Sequence, residues 1–516
     1  MGERLMLSIA HSCGMLGIEG YVVRVEADSS AGSPGFSIIG LPDRALKEST
    51  DRVRSAIFNS GFAYPAGRLL INLSPADVRK EGPSFDLAIA MALLGMDEQI
   101  PRDALRGFII LGELALDGGL RPLRGVLPMV LGARAAGLRR LILPEQNEQE
   151  AALVDGMELF AVDSLQSTVA VVLGNTSARR RATSPATLRA SDDAAGDLCD
   201  VRGQAAPKRA LEIAAAGGHN LLFVGAPGCG KTMLASRLPS ILPPMTVEEA
   251  LEVTKIYSVA GLLGSDAGIV CKRPFRFPHH TISQTALVGG GALAKPGEIS
   301  LAHHGVLFLD ELPEFSRSAV EVLRQPLEDS TITIARAAGT FTYPARFQLI
   351  ASMNPCPCGQ RGTRSAECRC DDAAVMKYVS KLSGPLLDRI DLQIDVAPVP
   401  FDDMVKAGIA ERSQTIRERI VAARDRQALR FRGTRLRANA QIPAGAVRRH
   451  CALDEESLRV LALASRKRQF SARALDRIVR VARTIADLAA AGDIRSEHVA
   501  EAITYRSLER LSPRPA

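Results

Sequence analysis

The sequence predicts an α/β protein of several domains, and three observations support this. The chain has 516 residues, more than one hydrophobic core usually organises. From residue 198 to about residue 400, short apolar strands alternate with helical segments, as in a doubly wound sheet. After Pro400 the apolar spacing is almost purely helical. We therefore expect an α/β domain at 1–174, a linker at 175–197, a second α/β domain at 198–400 and a helical domain at 401–516.

Composition bounds the class of protein. Apolar residues make up 46% and charged residues 23% of the chain, which are ordinary values for a globular protein. The sequence contains no apolar run of bilayer-spanning length. Its first 15 residues lack the apolar stretch and cleavage site of a signal peptide. We expect a cytoplasmic protein that does not enter a membrane.

Positive charge is concentrated at the C-terminal end. The net charge is +7, yet residues 405–516 alone contain 24 Lys and Arg against 12 Asp and Glu. A basic region on a mildly acidic body favours a polyanion partner such as DNA. A solvated, arginine-rich helical surface explains the same charges equally well.

The first domain contains clear strand and helix patterns. Residues 21–26 and 68–73 are typical of strands. Residues 43–60 have helical spacing, with Phe58 expected in the buried stripe. Residues 85–94 are apolar on most sides, which predicts a buried helix.

A phosphate-binding loop opens the second domain. The predicted strand 220–224 leads into it, and a helical segment follows. Glycines let backbone N–H groups converge on phosphate oxygens, and the helix N-terminus adds a favourable dipole. Lys231 would reach the β- and γ-phosphates of ATP, and the Thr232 hydroxyl would bind Mg²⁺. The loop is Gly225, Ala226, Pro227, Gly228, Cys229, Gly230, Lys231 and Thr232.

Two later strands would complete this site. Residues 306–309 form an apolar strand ending in Asp310 and Glu311, and ligand chemistry gathers at such strand ends. Asp310 would hold Mg²⁺, and Glu311 would polarise the attacking water. Asn354 follows a third strand and would position that water, although an Asn before a proline is also an ordinary turn residue.

Arg389 is a candidate for transition-state stabilisation. It stands between Asp388 and Asp391, where an ordinary surface ion pair is also possible. In a ring-shaped ATPase such an arginine points into the neighbouring subunit's site, where it is worth about 10³-fold or more in rate.

Together with these motifs, three longer stretches and the late-helix Arg473 carry a family resemblance. The chain resembles, over nearly its whole length, the magnesium-chelatase-like AAA+ ATPases of the YifB/ComM family. The resemblance implies an AAA+ domain at 198–400, a helical lid at 401–516 and a homohexameric ring. It also implies that Arg389 is the arginine finger and Arg473 the sensor-2 arginine. The three stretches are residues 208–220, 277–281 and 296–303.

The resemblance also implies a function. ComM-type members are similar to branch-migration helicases that act in homologous recombination during natural transformation, with DNA as partner. Residues 331–336 and 340–343 predict a hairpin, where Arg336 is either a DNA phosphate contact or a plain surface residue. Residues 275–291 would be the helix-2 insert. Its two histidines, His279 and His280, are expected to pack or hydrogen-bond rather than bind metal.

The first domain resembles the Lon-protease-like, ribosomal-S5-type fold through residues 72–87. Ser84 occupies the position of the Lon nucleophile, which needs a lysine base. The sequence has no Lys between Lys80 and Lys208, and arginine cannot serve as the base. We therefore predict no peptidase activity, and a helix N-cap role for Ser84.

Four cysteines lie close together in the sequence of the second domain. Two closely spaced pairs can supply four thiolates to tetrahedral Zn²⁺, although Cys-x-Cys is tighter than the usual spacing. Four reduced thiols in a loop are the alternative. The cysteines are Cys356, Cys358, Cys368 and Cys370.

Two functions therefore compete. The first is an ATP-driven DNA motor, favoured by the basic C-terminal region, the hairpin and the Lon-like domain. The second is the motor subunit of a magnesium chelatase, which has no need of a Lon-like domain. An ATP-dependent protease is disfavoured by the missing lysine.

Overall fold

The structure is a computed structural model in which two α/β bodies precede a helical region. The first body is built around a mixed sheet and the second around a parallel sheet. Described residues are 7–30, 32–175, 179–182, 196–264, 268–291, 295–336, 339–362, 368–399 and 410–506.

The first sheet contains eight strands in the order β10-β9-β8-β5-β1-β2-β4-β3. Strands β1, β2 and β4 are antiparallel neighbours, whereas β5, β8 and β9 run parallel. A separate pair, β6 and β7, lies outside this sheet. The bounds are β1 Ser8–Leu16, β2 Glu19–Ser30, β3 Gly35–Ile39, β4 Arg68–Ser74, β5 Phe108–Ile110, β6 Glu113–Leu114, β7 Leu120–Arg121, β8 Arg140–Pro144, β9 Glu158–Val162 and β10 Arg179–Ala182.

Helices cover this sheet. Every residue of Asp86–Met96 is buried, as its continuous apolar sequence predicts, because it packs between β1, β2 and a neighbouring helix. The helices are Arg44–Lys47, Ser49–Asn59, Asp86–Met96, Val126–Ala135, Glu148–Ala151 and Leu165–Val172.

Three details of the first domain differ from expectation. The helical segment predicted at 43–60 is broken at Glu48 into two helices. Phe58 is 74% exposed, because Val53, Ala56 and Ile57 form the inward face of the second helix. Ser84 is not a helix N-cap, since it lies inside the 3-10 turn Pro83–Phe85.

The predicted linker is only partly described. Residues 176–178 and 183–195 lie outside the described residues. Between them, Arg179–Ala182 forms strand β10, which pairs antiparallel with β9.

The second sheet contains five parallel strands in the order β12-β15-β18-β11-β19. Its central strands are buried throughout, as expected for a sheet covered on both faces. All carboxyl ends lie at one edge, so the residues following β11, β15 and β18 come together. The bounds are β11 Leu221–Val224, β12 Phe275–Arg276, β15 Val306–Leu309, β18 Gln348–Met353 and β19 Leu392–Asp395.

Two small ribbons project from this domain. The predicted hairpin is confirmed: β16 (Thr331–Arg336) pairs antiparallel with β17 (Gly339–Pro344). Its tip, 337–338, and the side chain of Arg336 lie outside the described residues. The segment 275–291 ends in β13 (Gly289–Gly290), which pairs with β14 (Lys295–Pro296). The helices of the domain are Ala205–Gly217, Lys231–Ile241, Val247–Ala260, Gln284–Val288, Glu298–Leu301, Arg317–Glu321, Arg324–Asp329, Asp372–Val379 and Gly384–Leu387.

The C-terminal region is helical and shares one core with the parallel sheet. Its first long helix is Ser413–Arg430, and residues 401–409 lie outside the described residues. Among the described helices, none has the length and apolar character that a membrane span requires. The helices are Ser413–Arg430, Val447–His450, Glu455–Arg468, Ala472–Leu488 and Ser496–Thr504.

The turn between β1 and β2 joins the first domain to the second. Ile18 is buried within a cluster of the second domain that includes Leu287 and Ile334. Nearby, Lys255 Nζ lies 2.7 Å from Glu19 Oε1. We call residues Gly17 and Ile18 the plug.

Candidate functional site

The phosphate-binding loop has the conformation that its glycines permit. Gly228 and Gly230 have φ values of 77° and 89°, a region that favours glycine. At Gly225 an added Cβ would lie 2.4 Å from the carbonyl oxygen of Val396, so a side chain there would collide with backbone. Helix Lys231–Ile241 begins within the loop, at Lys231. The N–H groups of its first turn are therefore available to phosphate oxygens.

Lys231 is held within the loop. Its Nζ donates to the carbonyl oxygens of Gly225 and Ala226, at 2.6 and 2.9 Å, and to Asn354 Oδ1 at 3.2 Å. Burial lowers the pKa of Lys231, and the nearby groups of Cys229 and Asp310 oppose this shift. The contact joins two predicted site residues: Lys231, in the loop that follows β11, and Asn354, which follows β18.

The predicted Mg²⁺ ligands are also in contact. Thr232 Oγ1 donates to Asp310 Oδ2 at 2.7 Å, and the Ser352 hydroxyl donates to the other Asp310 oxygen. Hydroxyl and carboxylate oxygens are the ligands that Mg²⁺ prefers. The residues present therefore fit the metal that an ATP site requires.

Glu311 adopts the left-handed backbone conformation, with φ of 54°. Its N–H donates to Ser352 Oγ at 3.1 Å, so one serine orients both acidic residues. Its carboxylate is half exposed and lies 3.9 Å from His280 Nδ1. Sequence reasoning assigned no role to Ser352 and no carboxylate partner to His280, because both contacts join segments distant in the chain.

Arg389 does not reach the loop of its own chain. Within the described residues it donates to the Pro385 carbonyl oxygen at 2.7 Å and forms an ion pair with Glu328. The hydrogen bond from Arg389, its charge and the charge of Arg473 lower the pKa of Glu328. Arg473 itself is exposed at the start of helix Ala472–Leu488. Both arginines therefore lie near one surface carboxylate.

A buried polar network lies behind Arg389. His219 Nδ1 lies 2.9 Å from Asp391 Oδ2, and its Nε2 lies 2.8 Å from Thr484 Oγ1 in the lid. Arg477, also in the lid, pairs with the same Asp391. Burial raises the pKa of Asp391, but the charge of Arg477 and the His219 contact outweigh it and lower the pKa overall.

Asn220 extends this network to the strands of the site. Its Nδ2 donates to the carbonyl oxygen of Arg389 at 2.8 Å, and its Oδ1 accepts the N–H of Leu349 in β18. The strand that enters the phosphate loop, the strand that ends at Asn354 and the Arg389 segment thus meet at one side chain.

The four cysteines converge as predicted. Three sulfur pairs are 3.4, 3.6 and 3.7 Å apart, and all four sulfurs lie within 4.8 Å of one another. A tetrahedron with Zn–S bonds of 2.3 Å has edges of about 3.8 Å. A hydrogen bond from the backbone of Gln360, together with contacts from the Cys356 and Cys370 side chains, lowers the pKa of Cys358 to about 6, whereas the pKa values of Cys368 and Cys370 are raised. This donor set fits zinc.

A second cluster of possible metal ligands is better explained by hydrogen bonds. His303 Nε2 and His304 Nε2 lie 3.0 and 2.7 Å from Glu252 Oε2. The Arg346 N–H donates to His303 Nδ1, so in the neutral ring Nε2 carries the hydrogen. Burial lowers the pKa of His303 to about 4, which keeps the ring neutral. A protonated Nε2 cannot ligate a metal.

Ser84 lines a cavity between the two α/β bodies. The cavity has a volume of about 480 Å³ and includes Arg124 of the first domain and Lys295, Phe341 and Tyr343 of the second. Sequence spacing could not place Lys295 in the same cavity as Ser84, since Lys295 belongs to another domain. The absence of peptidase activity stays a prediction.

Comparison with family models matches three consecutive parts of the chain. Residues 25–147 match the model described as subunit ChlI of Mg-chelatase. Residues 197–404 match the model of magnesium chelatase, subunit ChlI, and residues 410–506 match the C-terminal model of the same subunit.

Similar proteins extend this likeness over the full length. The chain is 44% identical to the protein YifB of Escherichia coli K12 over 514 residues, 98% of each chain. It is 43% identical to competence protein ComM of Haemophilus influenzae over 513 residues, which cover 98% of this chain and 99% of ComM. It is 32% identical to the peroxisomal Lon protease homolog 2 of Caenorhabditis elegans over 165 residues, 30% of this chain and 21% of the relative.

Proposed function

This chain belongs to the YifB/ComM family of magnesium-chelatase-like AAA+ proteins, and we propose that it is an ATP-driven DNA motor. We further propose that it works as a hexameric helicase that promotes branch migration during natural transformation. The full-length likeness to a competence protein carries this proposal, because it includes the first domain as well as the ATPase core.

The contacts around the phosphate loop support ATP hydrolysis. Lys231, freed from the loop carbonyls by ATP, would bind the β- and γ-phosphates. Mg²⁺, held by Thr232 and Asp310, would neutralise charge that develops on the phosphates. Glu311 would take a proton from the attacking water, and Asn354 would orient that water.

Arg389 would act on the neighbouring subunit. It is 14% exposed and engages Glu328 on its own chain, so insertion into another site requires that this surface pair opens. The Glu328 side chain is 67% exposed, so water can solvate its carboxylate when the pair opens. Arg473 lies beside the same carboxylate, and we assign it to nucleotide sensing.

Structural zinc is the proposed third cofactor, after ATP and Mg²⁺. Its ligands would be the thiolates of Cys356, Cys358, Cys368 and Cys370, whose spacing was given above.

A magnesium-chelatase motor is the second candidate, favoured by the names of all three matching family models. It would hydrolyse ATP at the same residues but would have no reason to respond to DNA.

The ATPase rate with and without DNA separates the two candidates. Forked and four-way DNA are expected to raise the rate of the wild-type chain and to be unwound or migrated in an ATP-dependent way. Lys231→Ala should abolish both, which controls for contaminating enzymes. If branched DNA changes neither ATP turnover nor strand pairing, the DNA motor is wrong.

A further inference from the structure

The loop that carries the four cysteines rests against the phosphate-binding loop. Gly359, between Cys358 and Cys368, has φ of 77°, and its N–H donates to the Cys356 carbonyl oxygen at 3.0 Å. A Cβ placed on Gly359 would lie 2.6 Å from Cδ of Pro227. The bare glycine therefore lets this loop touch the phosphate loop at Pro227.

The same loop also adjoins the residue proposed to orient water. Asn354 is two positions before Cys356, and its Cγ would lie 3.8 Å from a Cβ on Gly359. Asn354 in turn accepts a hydrogen bond from Lys231 at 3.2 Å. The cysteine loop, Asn354 and the phosphate loop are thus joined by consecutive contacts.

This loop needs a constraint of its own. Within residues 356–362 and 368–370, the described part of the segment, neither helix nor strand is present. Holding such a segment in one shape opposes its conformational entropy, and a metal bound by both of its ends supplies that constraint. The buried Cys356 and Gly359 show that its first turn is packed in place.

We propose that the four cysteines bind Zn²⁺ and that this zinc loop braces the phosphate loop, so that zinc occupancy sets the affinity for ATP. The inference rests on the proposed ATP and zinc sites and adds that one controls the other. Zinc loss would release Gly359 from Pro227, and the phosphate loop would then sample shapes that do not bind phosphate.

Two glycines of the same loop provide a matched test. Gly359 and Gly362 have φ of 77° and 81°, so alanine is equally strained at both positions. Of these two positions, only at Gly359 would the added methyl meet the phosphate loop, since no described residue lies within 4 Å of an added Cβ at Gly362. Binding of a fluorescent ADP analogue to the full chain is measured together with zinc content by mass spectrometry.

Gly359→Ala is expected to weaken nucleotide binding about tenfold while keeping one zinc per chain, because overpacking displaces the neighbouring loop. Gly362→Ala should bind like the wild type. Removing zinc with a chelator should weaken nucleotide binding similarly, and adding Zn²⁺ back should restore it. Chelation is used instead of a Cys368→Ser variant, because losing a ligand can prevent the loop from folding.

Each failure has its own meaning. Zinc well below one per chain in the wild type overturns the metal site. Full zinc with equal nucleotide affinity in the two alanine variants, or in stripped and reloaded protein, overturns the brace. A wild-type chain that holds zinc but binds no nucleotide overturns the proposed ATPase instead.

Discussion

Ser352 orients two acidic residues through a single hydroxyl group. It donates to Asp310 and accepts the N–H of Glu311. Asp310 is thereby aimed at Thr232, while Glu311 is left half exposed with its carboxylate free to meet water. The two neighbouring carboxylates therefore have different environments and different proposed roles.

Glu311→Gln is expected to lower the ATPase kcat by about 10²–10⁴-fold, because an amide cannot accept a proton from water. Binding of an ADP analogue should be unchanged, since no hydrogen bond joins the Glu311 side chain to the phosphate loop among the described residues. The two quantities are measured by phosphate release and by fluorescence titration.

Glu314→Gln serves as the matched control. Glu314 is three residues further on, is also exposed, and pairs with Lys381 at 3.3 Å. Its variant should retain wild-type turnover. Equal losses in both variants would contradict the assignment of Glu311 as the base.

At the scale of elements, one lid helix is tied to the parallel sheet through a buried carboxylate. Asp391 precedes β19 and contacts His219 next to β11, while Arg477 reaches it from helix Ala472–Leu488. Arg473 lies in the first turn of the same helix. The contact therefore fixes the lid relative to the segment that carries Arg389.

Asp391→Asn is expected to lower the free energy of unfolding by about 3 kcal/mol, because it leaves Arg477 facing a neutral, buried group. The folded-state pKa of Asp391 is lowered, so its stabilisation is complete above the unfolded value of about 3.9 and is lost only as pH falls through the folded value. The loss should thus be constant from pH 6 to 9.

Chemical denaturation at several pH values checks this expectation, with Asp388→Asn as control, since Asp388 is only partly buried. A destabilisation that disappears between pH 6 and 9 would show that the charge of Asp391 is not what stabilises the contact.

At the scale of the whole molecule, the proposed ATPase site would be divided between copies of the chain. Lys231, Thr232, Asp310 and Asn354 meet within one chain, whereas the side chain of Arg389 bonds only to Pro385 and Glu328 among the described residues. In the proposed ring the next subunit would supply the arginine, so we expect an isolated chain to bind ATP and hydrolyse it slowly.

Mixing two inactive variants tests this division. Arg389→Ala and Glu311→Gln should each be inactive alone. Each site needs Glu311 of its own subunit and Arg389 of the next subunit. In mixed rings, an Arg389→Ala subunit followed by a Glu311→Gln subunit meets both requirements, so roughly one quarter of the sites should be active. Phosphate release is measured after co-assembly is verified by light scattering.

In the control, the Glu311→Gln subunit is replaced by a double variant, Arg389→Ala with Glu311→Gln. The double variant cannot supply the arginine to an Arg389→Ala neighbour. Recovery with this partner, or none with the single variant in verified mixed rings, would show that Arg389 does not act between subunits.

Local patterns in the sequence were sufficient for much of this architecture. The phosphate loop, the Asp310–Glu311 pair and the hairpin could be predicted because each depends on residues adjacent in the chain. Ser352, His280 and the Ile18 contact could not, because tertiary packing brings them to their partners. Phe58 was assigned wrongly since helical spacing alone does not show which side faces the core.

The plug has a mechanical consequence. Ile18 is packed among side chains that include Ile334 of the hairpin. A displacement of the hairpin would therefore be transmitted to the turn between β1 and β2 of the first domain. A force on the hairpin would therefore be resisted by both α/β domains and not by the second domain alone.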